Sequence, residues 1–278
     1  MKLELISRNK TFNGSQDVYK HYSEACKCEM TFGLYLPEIA NRTKVPLLWF
    51  LSGLTCTHEN AMTKAGAQQW ASEKGLALLF PDTSPRGEDV PNHDDFDLGQ
   101  GAGFYLDAKR APWDKHFNME TYIGEELSSI ISKNFNVDNS KQGITGHSMG
   151  GLGALNFALK NPSQFRSVSA FSPIANPTKS DWGRKQFATY LEEDSVTWKE
   201  YDPSILFRKY GFGTKVLIDQ GQDDNFLNLL MPTSLSNQFE ENNTLGQFRY
   251  HEGYDHSYFF VSTFIKDHIK HHAEILSN

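Results

Sequence analysis

The chain has 278 residues, of which 27 are basic and 34 acidic, so its formal net charge is −7 at pH 7. An acidic balance without a basic run excludes nucleic acid and anionic membranes as main partners. No apolar stretch is long enough to span a bilayer, and residues 1–7 are too short and too charged for a signal peptide. No linker, repeat or low-complexity tract interrupts the chain, which predicts a single domain over residues 1–278.

Three cysteines cannot form a disulfide framework, which favours a cytoplasmic protein. Cys26 and Cys28 lie in an alternating segment, residues 26–36, and are expected on one face of a strand as buried thiols. On an extended strand their Cα atoms are near the upper separation for a disulfide. A zinc site would need two more ligands at compatible spacing, and none is evident, so no metal is predicted.

Apolar and β-branched runs alternate with helical patterns along most of the chain. The strands are predicted at residues 1–7, 26–36, 45–51, 76–80, 142–146, 167–171, 215–219 and 247–251. The helices are predicted at residues 58–74, 119–135, 150–159, 225–241 and 257–271. This alternation indicates an α/β fold with a mostly parallel, doubly wound sheet and helices on both faces. The early antiparallel hairpin is expected at one edge.

The pentapeptide Gly146-His147-Ser148-Met149-Gly150 lies where a predicted strand passes into a helix. Gly-x-Ser-x-Gly in that context is typical of the nucleophile elbow of an α/β-hydrolase, a strained turn that exposes the serine oxygen. The glycines are needed because so tight a turn leaves no room for neighbouring side chains. The pattern alone is weak evidence, so a catalytic Ser148 requires an acid and a histidine at matching places.

In α/β-hydrolases the acid follows the serine in the chain, just past a late strand. Asp219 is still within the predicted strand, so its side chain is expected to point to a face of the sheet. Asp223 and Asp224 follow in the loop. Asp224 is preferred because a three-residue step after Gly221 lets the chain turn first. Asp223 stays the alternative, and either aspartate is also a candidate helix N-cap.

The base is chosen among ten histidines. His256 lies in the loop before the final helix, where an α/β-hydrolase carries its catalytic histidine. His147 is adjacent to Ser148 and cannot easily fold back onto its hydroxyl, and His251 falls within the last strand. The C-terminal helix carries three histidines that are expected to face solvent, namely His268, His271 and His272.

The oxyanion formed during acyl transfer needs two backbone N–H donors. One is expected from Met149, the residue after the nucleophile. The other is expected from residues 52–57, which follow an apolar strand, and Leu54 is the candidate.

At several places together the chain resembles the S-formylglutathione hydrolases, a family also called esterase D. The matching segments are residues 51–57, 81–87, 103–108, 146–154, 218–221, 224–227 and 253–260. The resemblance runs nearly end to end. It implies a cytosolic homodimeric enzyme of formaldehyde detoxification that uses no cofactor. The implied reaction is hydrolysis of S-formylglutathione to glutathione and formate through a formyl-serine intermediate. The resemblance assigns the triad to Ser148, Asp224 and His256, and the oxyanion donors to Leu54 and Met149.

The same resemblance suggests substrate-binding residues. Cys56 matches a family cysteine near the active site whose modification slows turnover, and it is otherwise a small packing residue. Trp182 matches a tryptophan beside the substrate cleft. A formyl group offers almost no surface to bind, so specificity for the implied substrate has to come from glutathione. Arg86 or Lys185 is a candidate partner for a glutathione carboxylate on that ground, the alternative for each being a solvated charge.

The chain departs from the family pattern at two places near the expected cleft mouth. Asp181 replaces a proline, and Glu192 stands where the family has glycine. Two added carboxylates would disfavour anionic glutathione, so a general esterase for short acyl groups is the alternative function. A catalytically inactive binding module is a third hypothesis, and the presence of all three triad residues argues against it.

Overall fold

A nine-stranded sheet runs through the residues that this computed structural model describes, which are 2–193, 195–241 and 244–277. Its strand order is β1-β2-β3-β5-β4-β6-β7-β8-β9. The strands are β1 (Glu4–Thr11), β2 (Gly14–Ser23), β3 (Cys28–Pro37), β4 (Val45–Leu51), β5 (Ala77–Pro81), β6 (Val137–Gly146), β7 (Phe165–Phe171), β8 (Val216–Gly221) and β9 (Gly246–His251). The pairings from β1 to β5 through β2 and β3 are antiparallel, and the remaining pairings are parallel. The predicted α/β class and edge hairpin are therefore confirmed, although the sequence analysis missed β2.

Helices cover both faces of the sheet. They are α1 (His58–Lys64), α2 (Ala67–Lys74), α3 (Met119–Thr121), α4 (Ser128–Asn134), α5 (Met149–Lys160), α6 (Asp181–Tyr190), α7 (Ser195–Trp198), α8 (Pro203–Tyr210), α9 (Leu227–Leu230), α10 (Thr233–Glu241) and α11 (Tyr258–Leu276). A π-helical segment, Tyr122–Leu127, joins α3 to α4. Short 3-10 helices lie at Glu38–Asn41, Trp113–Lys115 and Lys199–Tyr201.

Two helices that were predicted as continuous are each divided in two. The helix expected over residues 58–74 breaks at Gly66, which has a left-handed φ of 68°. The helix expected over residues 225–241 breaks at Met231, also left-handed with a φ of 55°, and Pro232 follows it. Proline cannot donate a helical hydrogen bond, so a new helix has to start there.

The central strand β4 is apolar throughout because both of its faces are buried. Trp49 and Leu51 enter the core on one face of the sheet, whereas Leu48 and Phe50 enter the core on the other. Successive side chains of a strand point to opposite faces, so a strand covered on both sides needs apolar residues at every position.

The prediction that the C-terminal histidines face solvent is wrong for His268 and His272, which are fully buried. The two nitrogens of His272 lie 2.7 Å from Ser167 Oγ and 2.8 Å from Ser169 Oγ. His271 is partly buried against the Val168 carbonyl. Helix α11 packs this face on β7, where two small serines leave room for the rings and satisfy their nitrogens.

Asp219 lies beside one of these histidines, His268. Its carboxylate accepts two hydrogen bonds of 2.6 Å from Arg249, and His268 Nε2 lies 3.3 Å away. The side chain is buried and points to the face of the sheet that α11 covers, as the sequence analysis expected.

The two neighbouring cysteines do not share a strand, so that prediction is wrong. Cys26 lies in the turn before β3, where its N–H donates to Ser23 Oγ at 2.9 Å, and β3 begins at Cys28. The left-handed φ of Lys27, 53°, closes the turn between them. All three thiols, those of Cys26, Cys28 and Cys56, are free.

Among the described residues, no helix has the combined length and apolarity that a bilayer crossing requires. Within the same residues, no group of three or more His, Cys, Asp or Glu side chains is arranged to hold a metal ion.

The buried His272 predicts a specific pH dependence of stability. Burial lowers its pKa well below the ordinary 6.5, and His271 and His268 lower it further. The unfolded chain therefore takes up a proton below pH 6.5 that the folded protein excludes, so stability is lost as the pH falls. The free energy of unfolding of each protein is measured by urea unfolding at pH 7.5 and at pH 5.5. The decrease between these two pH values should be about 1.4 kcal/mol larger for the native protein than for His272→Gln. Equal losses in the two proteins would contradict this assignment.

Candidate active site

Ser148 occupies a strained turn between β6 and α5. Its φ of 58° and ψ of −120° lie in a region that residues with a side chain rarely adopt. The Ser148 N–H donates to the Phe171 carbonyl at 2.9 Å, and the Ser148 carbonyl accepts from the Leu152 N–H at 3.0 Å. Bonds to the next strand and to the first turn of α5 therefore hold the strain in place.

The glycines beside Ser148 allow backbone segments to approach closely. A Cβ at Gly150 would lie 1.9 Å from the Leu51 carbonyl oxygen, and one at Gly146 would lie 2.2 Å from the Gly150 carbonyl oxygen. Neither contact is possible for a side-chain carbon. The pentapeptide therefore requires glycine at both positions for the steric reason that the sequence suggested.

Asp224 and His256 form a short hydrogen bond. His256 Nδ1 donates to Asp224 Oδ2 at 2.6 Å, and the Phe226 N–H donates to Asp224 Oδ1 at 2.8 Å. Burial by itself raises the pKa of Asp224, but the hydrogen bond and charge of His256 outweigh it, and the pKa is lowered. Asp224 is thus an anion at neutral pH and is hydrogen-bonded to His256. The alternative acid, Asp223, is instead exposed to solvent.

The hydrogen bond at Nδ1 leaves Nε2 of a neutral His256 ring as a proton acceptor. The ring packs on His147, the residue before Ser148, with ring centroids 4.5 Å apart, and on Phe226 at 5.1 Å. The pair of Asp224 and His256 therefore lies beside the serine turn. Burial lowers the pKa of His147 strongly and His256 lowers it further, so His147 adds no charge there.

The loop of residues 52–57, here named the oxyanion loop, lies against the serine. A Cβ at Gly53 would lie 3.1 Å from Ser148 Cβ. In the described part of the chain, the N–H groups of Leu54 and Met149 donate to no protein acceptor. Met149 is the first residue of α5, where an amide has no partner within the helix. Two unpaired donors thus lie close to Ser148.

Trp182 belongs to a row of aromatic rings that leads to His256. Its indole stacks on Phe226 with centroids 6.0 Å apart, and Phe226 in turn contacts His256. The indole Nε1–H donates to Asp97 Oδ2 at 2.5 Å. Sequence analysis missed Asp97, since only its burial distinguishes it from the other aspartates of its loop.

The two predicted cationic candidates are both bonded to protein carboxylates. Lys185 Nζ lies 2.8 Å from Asp97 and 2.9 Å from Asp95. The Arg86 Nε–H donates to both carboxylate oxygens of Asp82 at 3.1 Å. Neither charge is simply solvated.

Cys56 is buried in the oxyanion loop, and burial raises the pKa of its thiol. The thiol is therefore protonated at neutral pH and is a poor nucleophile. Of the two residues that depart from the family pattern, Asp181 is exposed and pairs with Arg184. Glu192 is exposed in the loop after α6.

Comparison with known proteins shows the family of this chain. The esterase family model matches residues 23–271. An S-formylglutathione hydrolase of Paracoccus denitrificans (strain Pd 1222) is 58% identical over 273 residues, which are 98% of either chain. The chain belongs to the S-formylglutathione hydrolases of the esterase family. It is a hydrolase with the α/β-hydrolase fold.

One of two solved structures supports the family, and the other supports the fold. The structure of an S-formylglutathione hydrolase from Agrobacterium tumefaciens superimposes with a TM-score of 0.95 at 46% identity, over 98% of this chain and 99% of that one. The fluorophosphonate-binding serine hydrolase FphF of Staphylococcus aureus has a TM-score of 0.75 at 20% identity, over 94% and 98% of the two chains. The second likeness concerns the fold alone.

The close approach at Gly150 predicts that Gly150→Ala damages both fold and activity. The added carbon has to push β4 away from the serine turn, at an expected cost of at least about 2 kcal/mol. Gly213→Ala is the matched control, because a Cβ there meets nothing within 4 Å. Thermal unfolding and ester hydrolysis measure the two effects. Native stability and activity in Gly150→Ala would contradict the geometry described for the turn.

Proposed function

We propose that this chain hydrolyses S-formylglutathione to glutathione and formate. The observation that carries the proposal is the 58% identity, over 98% of both chains, to a protein of that name. The hydrogen-bonded pair of Asp224 and His256 beside Ser148 supplies a chemistry suited to this reaction. We also propose that the protein is a cytoplasmic homodimer of single-domain subunits. In this proposal it acts in formaldehyde detoxification and needs no cofactor or metal.

In the proposed first step, Ser148 Oγ attacks the formyl carbon while His256 Nε2 takes the hydroxyl proton. Asp224 holds the ring in the correct tautomer and stabilises the imidazolium that forms. The N–H groups of Leu54 and Met149 bind the developing oxyanion. The carbon–sulfur bond then breaks, and glutathione leaves either with the proton from His256 or as the thiolate, in which case His256 releases that proton to solvent. Formyl-Ser148 and a neutral His256 remain.

The second step hydrolyses this ester. His256 Nε2 takes a proton from water, and the resulting hydroxide attacks the formyl carbon. The bond from carbon to Ser148 Oγ breaks, and the serine oxygen recovers the proton from His256. The formic acid that forms loses its proton to solvent, formate is released, and the enzyme returns to its starting state.

The positive end of α5 contributes to the proposed oxyanion site. Met149 is the first residue of this 12-residue helix, so its N–H lies at the N-terminus, where the helix dipole favours negative charge. The first turn carries no acidic side chain that would offset this field.

Specificity in this proposal has to come from the glutathione portion, because a formyl group offers almost no surface to bind. Trp182 and Cys56 are the proposed wall of the cleft. Trp182 stacks on Phe226, which contacts His256, and Cys56 lies in the oxyanion loop. Lys185 is a proposed partner for a substrate carboxylate, although it already bonds to two aspartates. Arg86, the other candidate from the sequence, is bonded to Asp82 and to the Cys56 carbonyl.

The proposed substrate is tested by comparing kcat/KM for S-formylglutathione with that for p-nitrophenyl acetate. Binding energy from the glutathione portion should favour the thioester by about a hundredfold or more. Ser148→Ala is the control and should abolish both activities. Equal or better hydrolysis of the acetate would instead favour a general short-acyl esterase. Failure of native protein to hydrolyse either compound or to react with a fluorophosphonate would favour a binding module.

A further inference from the structure

The oxyanion loop contains a strained residue of its own. Thr55, the residue after the proposed oxyanion donor Leu54, has a φ of 64°. A positive φ is a genuine outlier for a β-branched residue, because its side chain crowds the backbone. Such a conformation persists only where surrounding contacts outweigh its cost. Those contacts determine where the Leu54 N–H lies.

Two sides of the strained turn are bonded to the segment that follows β5. The Thr55 N–H donates to the Gly101 carbonyl at 2.9 Å. The Cys56 carbonyl accepts from Thr83 Oγ1 at 2.5 Å and from Arg86 Nη2 at 2.8 Å. A single carbonyl thus receives a hydroxyl and a charged donor, which is a strong attachment for a loop backbone.

Arg86 is itself held in place by Asp82. The Arg86 Nε–H is shared between the two Asp82 oxygens at 3.1 Å, and Asp82 Oδ1 also accepts from the Thr83 N–H at 2.6 Å. Asp82 is buried directly after the end of β5. Burial raises the pKa of this carboxyl group and the charge of Arg86 opposes that rise. The guanidinium is therefore oriented from the rigid sheet.

This geometry uses the side chain of Arg86 within the protein. The Nε–H group faces Asp82. The Nη2 group faces the Cys56 carbonyl and, at 3.4 Å, Thr83 Oγ1. A guanidinium has five N–H groups in a fixed fork, so these contacts set its plane. An arginine oriented in this way differs from a mobile cation that waits for a substrate carboxylate.

We propose that Asp82, Thr83 and Arg86 form a clamp that positions the oxyanion loop for catalysis. In this inference Arg86 is a positioning residue that acts on turnover through the Cys56 carbonyl, in place of pairing with glutathione. The inference rests on the proposed function, because it takes the Leu54 N–H as an oxyanion donor. A displacement of about 1 Å in such a donor can reduce the rate by about a hundredfold.

The experiment compares Thr83→Val with Thr83→Ser and adds Arg86→Lys. Thr83→Val removes the hydroxyl donor, the matched Thr83→Ser keeps it, and Arg86→Lys keeps the charge but loses the fork. Each protein is assayed with S-formylglutathione and with p-nitrophenyl acetate. Active serines are counted by fluorophosphonate labelling taken to completion, and kcat is expressed per labelled serine. Unfolded molecules then do not lower the measured turnover.

The clamp predicts a fall in kcat of about tenfold or more in Thr83→Val and in Arg86→Lys. The fall should be the same for both substrates, with KM within about twofold of native, because the oxyanion site is common to both reactions. Thr83→Ser should keep near-native kcat. If Thr83→Val does not fold, Arg86→Lys decides the question.

Two results would overturn the inference. A rise in KM for S-formylglutathione alone in Arg86→Lys, with unchanged acetate kinetics, would make Arg86 a glutathione-binding residue. Native kcat per labelled serine in both variants would leave the clamp with a purely structural role. If native protein cleaves the acetate but not the thioester, the proposed function fails, and the acetate data still test the clamp.

Discussion

The hydrogen bond of 2.6 Å between His256 and Asp224 is the contact on which the proposed chemistry depends. It joins loops that follow β9 and β8, while Ser148 follows β6 and the oxyanion loop follows β4. These strands belong to one parallel set, so their carboxyl ends lie along the same edge of the sheet. The topology thereby gathers groups that are about 200 residues apart in sequence.

Each of the two segments that meet at this edge carries backbone strain. Ser148 and Thr55 both have positive φ angles, and Gly53 brings their two segments into contact. Each strained residue donates its N–H to a carbonyl of a neighbouring segment, that of Phe171 for Ser148 and that of Gly101 for Thr55. The sheet has apolar cores on both faces, and their packing stabilises the fold enough to offset the cost of this strain. The proposed oxyanion donors are then fixed before substrate arrives, which is the condition for electrostatic catalysis.

The parts of the site that sequence predicted are those governed by local geometry. Gly146 and Gly150 reveal the serine turn because no other residue fits there, and chain order then limits the acid and the base to short loops. The burial of His272 could not be read from its own helix, because it depends on Ser167 and Ser169, about 100 residues away. The burial of Asp97 and the contact of Arg86 with the Cys56 carbonyl likewise depend only on tertiary packing. A charged residue in a loop has the same sequence signature whether it binds substrate or positions a backbone.

The central claim is that Asp224 orients His256 for proton transfer from Ser148. The most direct measurement is kcat on p-nitrophenyl acetate for Asp224→Asn, with the exposed neighbour Asp223→Asn as the matched control. The amide preserves shape but stabilises the wrong tautomer of the ring, so kcat should fall by about a thousandfold or more. Asp223→Asn should retain native turnover. Near-native turnover in Asp224→Asn together with a collapse in Asp223→Asn would contradict the account.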